Sequence, residues 1–204
     1  MLNRTIRKGY EAKTLAWGMF FARRGITPNM LTGTSVVLAV VSCYLFAVNR
    51  IFLALLAFGL VGLLDILDGA TARASQTVSL FGKVLDMVSD RYAEFFFMLG
   101  IMLGGKVADY WVLSAVFGML IASYTRAVAE SKGGMTNCEV GMVGRAEKMI
   151  LIGIGGLLQI LVDTTSVPDF KPLQWAVIVT ALTSIYTALQ RLHHASRNIE
   201  RSSA

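Results

Sequence analysis

Cysteine and histidine are scarce in this chain, which has two of each among 204 residues. Cys43 lies inside an apolar segment and Cys138 in a predicted loop, so the sequence indicates no disulfide framework. Zinc sites take their ligands mainly from cysteine and histidine, so zinc is not expected. Charge is scarce too, because 16% of the residues are charged while 55% are hydrophobic. This balance favours a lipid bilayer as the solvent and predicts an all-α, polytopic membrane protein.

Six apolar segments come near the roughly 17–25 residues that a helix needs to cross a bilayer. They run over 30–48, 52–67, 79–103, 110–129, 149–162 and 173–192. Their apolar positions are continuous rather than alternating, which favours a bundle of six transmembrane helices over a barrel. We predict a single domain over 1–204, with this bundle over 25–197. In 1–24 apolar and basic residues alternate, which predicts an amphipathic interfacial helix; a solvated basic tail is the alternative.

Lysine and arginine collect at those segment ends that would share one face of the membrane. By the positive-inside tendency this face is cytoplasmic, which places both termini in the cytoplasm. The net charge of +6 is explained by this bias and by attraction to anionic lipid headgroups better than by nucleic acid. The expected location is the plasma membrane, with multiple passes and no nucleic-acid partner.

Four carboxylates stand where the second apolar segment meets the third, in the stretch DILDGATARASQTVSLFGKVLDMVSD. Asp65 and Asp68 are spaced i,i+3, and Asp86 and Asp90 are spaced i,i+4, so each pair shares a helical face. The short connection makes the two helices antiparallel neighbours whose acidic faces can converge. A carboxylate inside a membrane costs about 2.5–3.5 kcal/mol, so this group needs a cation. Hard oxygen donors suit Mg²⁺, Mn²⁺ or Ca²⁺.

The residues around the acids fit a phosphate-bearing ligand, for which Mg²⁺ usually leaves coordination sites. Gly69 and Gly82 let a ligand approach the backbone, and Ala72 keeps the next turn small. Arg73 offers a fork of donors to a phosphate. Each has a structural alternative, since glycine and alanine pack membrane helices closely and Arg73 fits the positive-inside bias. Together with the acids, they predict a site for a divalent metal and a phosphate compound.

The pattern D-x2-D-G-x2-A-R-x8-G-x3-D-x3-D resembles the signature of the CDP-alcohol phosphotransferases. Its fixed positions are Asp65, Asp68, Gly69, Ala72, Arg73, Gly82, Asp86 and Asp90. The length, the six apolar segments and the amphipathic N-terminal helix also resemble that family. The resemblance implies an integral membrane enzyme of phospholipid synthesis, which transfers a phosphatidyl-type group from a CDP-lipid to a hydroxyl and releases CMP. It also implies a homodimer, for which the aromatic run 95–97 is a candidate contact, although lipid exposure explains that run equally well.

The resemblance further implies a role for each residue of the pattern. The expected ligands of one or two Mg²⁺ or Mn²⁺ ions are Asp65, Asp68, Asp86 and Asp90. The resemblance makes Asp90 the expected general base and Asp86 the second choice. The choice between them stays open at this point, because both are also expected metal ligands and a metal ligand is less free to take a proton. The expected CDP site consists of Gly69, Ala72, Arg73 and Gly82, joined by Asn29 and Thr32 at the entry to the first apolar segment. Thr27 and Pro28 beside them also fit a helix cap and a first helical turn.

The stretches SYTRAVAE, GRAEK and QR resemble the subfamily that uses inositol phosphate, namely the phosphatidylinositol-phosphate and archaetidylinositol-phosphate synthases. Cations from three helix ends are expected to converge on the acceptor phosphate. The expected acceptor residues are Ser123, Arg126, Arg145, Lys148 and Arg191. Bacterial members usually read SYxKARAE, so Arg126 keeps the charge of a lysine while Val128 loses that of an arginine; Lys148 stands in place of a common arginine. Glycerol phosphate, inositol or serine as acceptor, or a purely topological role for the cations, are the alternatives.

Two other classes of membrane protein also use acidic residues within the bilayer. A divalent-cation transporter would place them near the midplane between repeats, but here they cluster toward one face and no inverted repeat is visible. Metal-dependent intramembrane prenyltransferases are longer and carry two separated acidic motifs, whereas this chain carries one. The transporter remains the alternative of another class.

Overall fold

The computed structural model describes residues 4–135, 138, 140–165 and 171–202. Regular structure in these ranges is entirely helical, and each predicted apolar segment falls in a helix of its own. The helices are α1 (Arg4–Arg23), α2 (Pro28–Ala47), α3 (Ile51–Ala74), α4 (Leu80–Leu103), α5 (Asp109–Ser131), α6 (Arg145–Thr165) and α7 (Pro172–Ser202). The first three residues of the predicted interfacial helix lie outside the described residues.

Four of the described helices are long and apolar enough to cross a membrane. They are α2, α3, α5 and the Pro172–Asn198 part of α7. Charged side chains interrupt the apolar segment in α4, which carries Lys83, Asp86, Asp90, Arg91 and Glu94, whereas the uncharged segment in α6 is short and is flanked by Glu147, Lys148 and Asp163. An all-helical protein with four helices that fit a membrane span is therefore confirmed for the described residues, whereas the full set of six spans stays a prediction.

The turn from α1 into α2 is fixed by local hydrogen bonds. Gly25 has φ 75°, in the left-handed region that glycine adopts readily. Its N–H donates to the carbonyl of Ala22 at 3.0 Å, and the N–H of Ile26 donates to Phe21 at 3.1 Å, which closes the end of α1. The hydroxyl of Thr27 then accepts the N–H of Met30 at 3.3 Å, so the predicted cap of α2 is confirmed.

The chain forms two compact units, residues 1–46 with 53–97 and residues 47–52 with 98–204. In the first unit Phe97 is fully buried, and its ring stacks on Phe58 with 3.8 Å between centroids and meets Phe46 edge-on at 5.2 Å. Phe96 is partly buried, while Phe95 is 46% exposed. The aromatic run 95–97 therefore presents one ring outward rather than three, so it does not form the predicted contact surface as a whole.

In the second unit α7 packs on α5 and α6 through small residues. A Cβ placed on Gly118 of α5 would lie 3.0 Å from the Cβ of Ser184, and one on Gly155 of α6 would lie 2.5 Å from the Cβ of Ala176. Small residues allow such close approach of helices in a membrane. The outer face of α5 is apolar and exposed, with Leu113, Phe117 and Leu120. Such a face suits contact with lipid.

Candidate active site

Asp65 and Asp68 of α3 and Asp86 of α4 bring their carboxylates together in the first unit. One oxygen from each lies within 4.8 Å of the other two. Asp68 is 5% exposed, and the other two are half-buried. Mg²⁺ and Mn²⁺ take carboxylate oxygens as ligands, and acids that converge from two helices in this way can share one ion. Three converging hard oxygen donors therefore fit Mg²⁺ or Mn²⁺, which supports three of the four predicted ligands.

Asp90 stands one helical turn beyond Asp86 on α4 and is half-buried. Asp90 also takes part in a hydrogen-bonding or electrostatic interaction and is therefore not a free carboxylate. The group within 4.8 Å consists of Asp65, Asp68 and Asp86. A carboxylate next to such a group, rather than within it, suits a proton acceptor better than a metal ligand. Asp90 as base and as fourth ligand stays a prediction.

A cavity of about 320 Å³ opens beside the carboxylates, between α2, α3 and α4. All six residues predicted to bind CDP line it: Asn29, Thr32, Gly69, Ala72, Arg73 and Gly82. Asp68 and Asp86 also line it, so a ligand in the cavity touches the metal group directly. Gly69 and Ala72 leave room along α3, while Arg73 is exposed at the end of that helix. The cavity therefore combines a cation, two carboxylates and an open backbone, as a nucleoside diphosphate with its metal requires.

Thr32 links α2 to the metal group. Its hydroxyl donates to Oδ2 of Asp68 at 2.6 Å, and both side chains are buried. The carbonyl of Pro28 lies farther from the same hydroxyl, at 3.1 Å, so Asp68 is the better acceptor for its single proton. Thr32 therefore lines the cavity and orients a carboxylate with its proton, while its contact with CDP stays a prediction.

We expect Thr32→Val to weaken Mn²⁺ binding about 10-fold, because partners that orient a ligand typically contribute about 10–100-fold in metal affinity. Valine keeps the shape of threonine and removes the donor to Asp68. Titration of Mn²⁺ followed by electron paramagnetic resonance measures the change, and Thr32→Ser should restore binding. The matched control is Thr34→Val, since that exposed hydroxyl bonds to the carbonyl of Met30 within its own helix. Equal affinity in Thr32→Val and the unmodified protein would refute this role.

Ser79 is a residue of the cavity that the sequence reasoning missed. Its Oγ accepts the N–H of Gly82 at 2.9 Å and so caps the first turn of α4. A Cβ on Gly82 would lie 3.0 Å from this Oγ, so glycine here gives the cap its space. Lys83 and Thr77 also line the cavity. A serine directly before an apolar helical segment is the signal that could have identified Ser79.

The predicted acceptor residues lie in the second unit. Nε of Arg126 pairs with Oε1 of Glu130 at 2.9 Å, and the same oxygen accepts the N–H of Cys138 at 3.0 Å. Arg191 donates from Nε to the carbonyl of Val140 at 2.8 Å and from Nη1 to that of Ala122 at 2.6 Å. Arg191 therefore holds the loop after α5 as well as carrying charge.

Two of the three predicted arginines contact the same end of α5, since Arg126 pairs with Glu130 and Arg191 donates to the carbonyl of Ala122, four positions before Arg126. Arg145 and Lys148 lie in the first turn of α6, where Lys148 is 5% exposed. Each makes interactions of its own, as does the half-buried Ser123. Convergence of all of them on one acceptor phosphate stays a prediction.

The helical fold, the three-carboxylate group and the cavity beside it together define a class of membrane enzyme. The family model of CDP-alcohol phosphatidyltransferases matches residues 25–196, and the chain belongs to this family. It is thus a CDP-alcohol phosphotransferase, and the family assignment made from the acidic pattern is confirmed.

Proteins of similar sequence include synthases of inositol phosphate lipids. The archaetidylinositol phosphate synthase of Pyrococcus horikoshii is 33% identical over 90% of this chain and 90% of its own length. The phosphatidylinositol phosphate synthase of Mycobacteroides abscessus is 31% identical over 84% of this chain and 78% of its own length.

Two solved structures of one such synthase have folds similar to that of this chain. Mycobacterium tuberculosis phosphatidylinositol phosphate synthase with CDP-DAG bound has a TM-score of 0.78 at 26% identity, covering 89% of this chain and 92% of its own. The same enzyme with manganese and citrate has a TM-score of 0.77 at 27% identity, covering 89% of this chain and 88% of its own.

Proposed function

We propose that this protein transfers a phosphatidyl-type group from a CDP-lipid to a hydroxyl of inositol phosphate and releases CMP. One observation carries the proposal: a single cavity is lined by all six residues predicted for CDP and by two of the three clustered carboxylates. The donor class follows from that cavity and from the family. The acceptor is supported by the relatives, which are named as synthases of inositol phosphate lipids.

The residues of the first unit fit the donor half of the reaction. Asp65, Asp68 and Asp86 would hold Mg²⁺ or Mn²⁺, which, when bound, neutralises the diphosphate and stabilises the departing CMP. Arg73 binds phosphate oxygens from the rim of the cavity. Thr32 fixes the orientation of Asp68 through its hydrogen bond. The three carboxylates with their metal, the guanidinium of Arg73 and the accessible backbone at Gly69 and Gly82 thus hold the CDP moiety in one position.

Asp90 supplies the acid–base step in this proposal. It takes the proton from the attacking acceptor hydroxyl, so that the oxygen forms its bond to phosphorus as the bond to CMP breaks. Arg126, Arg145, Lys148 and Arg191 bind the phosphate already present on the acceptor, and Ser123 adds a hydroxyl. A phosphomonoester carries close to two negative charges at neutral pH, which matches several cations. Uncharged inositol would leave those cations uncompensated.

We further infer that α2 to α7 all cross the plasma membrane, with α1 along its cytoplasmic surface and both termini in the cytoplasm. Exposed apolar side chains on α4 and α6, which are not among the four candidate spans, support this arrangement. They include Phe95 and Leu103 on α4 and Ile154, Leu157 and Leu161 on α6. The single domain over 1–204 and the homodimer are part of the same proposal.

A CMP-release assay tests the proposed reaction on the purified protein in detergent with Mg²⁺ or Mn²⁺ and a CDP-lipid. Inositol phosphate, glycerol phosphate, inositol and serine are offered one at a time, and a chelator provides the metal-free control. We expect release with inositol phosphate alone. Release with a different acceptor would keep the family and refute the acceptor. No release from a folded protein that binds divalent metal would favour the cation-transporter alternative.

A further inference from the structure

One face of α1 rests directly on the backbone of α3 at Gly18. A Cβ built on Gly18 would lie 2.5 Å from the carbonyl oxygen of Ala70 and 2.9 Å from the amide nitrogen of Thr71. A Cβ atom essentially never lies closer than 3.0 Å to a heavy atom of another residue. The backbone atoms of Ala70 and Thr71 cannot rotate away from such a contact, as the end of a flexible side chain could. α1 therefore meets α3 at a distance that excludes any side chain at position 18.

The turn of α3 under Gly18 is the turn that builds the donor cavity. Ala70 and Thr71 are both 0% exposed, and they stand between Gly69 and Ala72, which line the cavity. The hydroxyl of Thr71 donates to the carbonyl of Leu67 at 2.7 Å, a bond within its own helix. A displacement of this backbone segment moves the cavity wall with it, because no flexible linker separates the two.

α1 is also attached to the second wall of the cavity. Its last turn closes through Gly25 onto Phe21 and Ala22. Three residues after Gly25 the chain reaches Pro28 and Asn29, which line the cavity from α2. α1 therefore contacts the α3 wall of the cavity at Gly18 and is joined to the α2 wall by the turn.

The other face of α1 suits the membrane surface. Trp17 is 57% exposed, and its ring meets Phe20 edge-on at 5.9 Å. The guanidinium of Arg24 lies 3.6 Å from the centroid of the Phe20 ring. Aromatic rings next to exposed arginine are typical of helices in the interface between water and lipid. α1 thus has a face suited to the membrane surface on one side and contacts α3 on the other.

We propose that α1 is a positioning element of the donor site and that Gly18 is the positioning residue through which it acts. The contact with Ala70 and Thr71 sets the α3 wall against the first turn of α2 and thereby sets the affinity for the CDP-lipid. The proposal rests on the donor half of the proposed function and is independent of the identity of the acceptor.

The test is Gly18→Ala in the full-length protein, reconstituted in nanodiscs. Equilibrium binding of CDP-diacylglycerol with Mg²⁺, in the absence of acceptor, should weaken about 10-fold, because displacements near 1 Å can cost about 10²-fold in well-positioned sites. The KM for the CDP-lipid should rise in parallel, while the KM for the acceptor stays constant. A merely structural role would lower the melting temperature and the active fraction without changing the donor affinity of the folded protein.

Two control variants add volume where space is open. A Cβ on Gly59 of α3 meets nothing within 4 Å, so Gly59→Ala should bind donor normally. Ala16→Leu enlarges an exposed position of α1 and should also be neutral. Unchanged donor affinity in folded Gly18→Ala overturns the proposal. If Gly18→Ala does not fold, the same binding measurement is made on Thr14→Ala. Thr14 is 8% exposed and lies one turn earlier on the same face of α1.

A loss of donor affinity in Thr14→Ala supports the positioning role of α1, and unchanged affinity overturns it. The unmodified protein separates this proposal from the proposed function. If it binds the CDP-lipid and Gly18→Ala binds equally well, the positioning role alone is refuted. If it binds no CDP-lipid at all, both are refuted.

Discussion

Asp90→Asn should lower kcat for CMP release by about 10²–10⁴-fold, the range that a positioned general base contributes. Asparagine has nearly the same shape as aspartate but cannot take a proton at neutral pH. Because Asp90 lies outside the group of carboxylates within 4.8 Å, metal-dependent binding of the CDP-lipid should remain measurable. Single-turnover CMP release and equilibrium binding of the CDP-lipid, made on the same preparation, test both halves of this expectation.

The matched control for Asp90→Asn is Asp109→Asn, which removes an exposed carboxylate at the start of α5. It should leave both turnover and binding unchanged. Loss of donor binding in folded Asp90→Asn would reassign Asp90 from base to metal ligand. Full activity would exclude it from the reaction, and Asp86, the second choice, would then be the next carboxylate to replace.

Arg191→Ala should raise the KM for inositol phosphate by about 10–100-fold and change the KM for the CDP-lipid far less. Hydrogen bonds to charged groups contribute roughly 1.5–3 kcal/mol, which corresponds to that factor. Steady-state kinetics with each substrate varied in turn measure the split. Equal increases in both KM values would remove Arg191 from the acceptor site.

The loop contacts of Arg191 require a control, because its guanidinium also holds the carbonyls of Ala122 and Val140. Gln190→Ala removes a neighbouring tie to the same loop, in which the N–H of Met142 donates to Oε1 of Gln190 at 3.0 Å. It removes no charge. If Gln190→Ala raises the KM for the acceptor as much as Arg191→Ala, the effect belongs to the loop. Arg197→Ala, at an exposed cation of the same helix, controls for charge alone.

Spacing along the chain was sufficient to predict that the carboxylates of α3 and α4 come together, whereas the residues of the CDP site were implied by the family resemblance. Asp65 and Asp68 had to share a face because helical geometry places i and i+3 together. The short connection then required α4 to return beside α3, which brought Asp86 to the same place. Thr27 was predictable as a cap for the same reason, since capping depends on neighbours within four residues. Local rules and one short connection thus determined the group of carboxylates and the cap of α2.

Interactions between distant residues could not be predicted in this way. Thr32 and Asp68 are separated by 36 positions, so nothing in the sequence distinguishes an orienting hydrogen bond from a contact with CDP. The carbonyls held by Arg191 lie 51 and 69 positions away, which conceals its second role. The sequence pattern of α1 gave no reason to single out Gly18. Its close approach to Ala70 depends on the packing of two helices, which periodicity does not specify.

The two cysteines have a practical consequence for following α1 by spectroscopy. Cys43 is 8% exposed and Cys138 is 0% exposed, and both are free thiols. A buried thiol reacts slowly with maleimide or a methanethiosulfonate spin label, since reagents need access to the thiolate. A single new cysteine at an exposed position such as Trp17 should therefore be labelled selectively without first replacing either native one. Distances and mobilities of α1 then become accessible in the native background, with lipid composition and nucleotide as the variables.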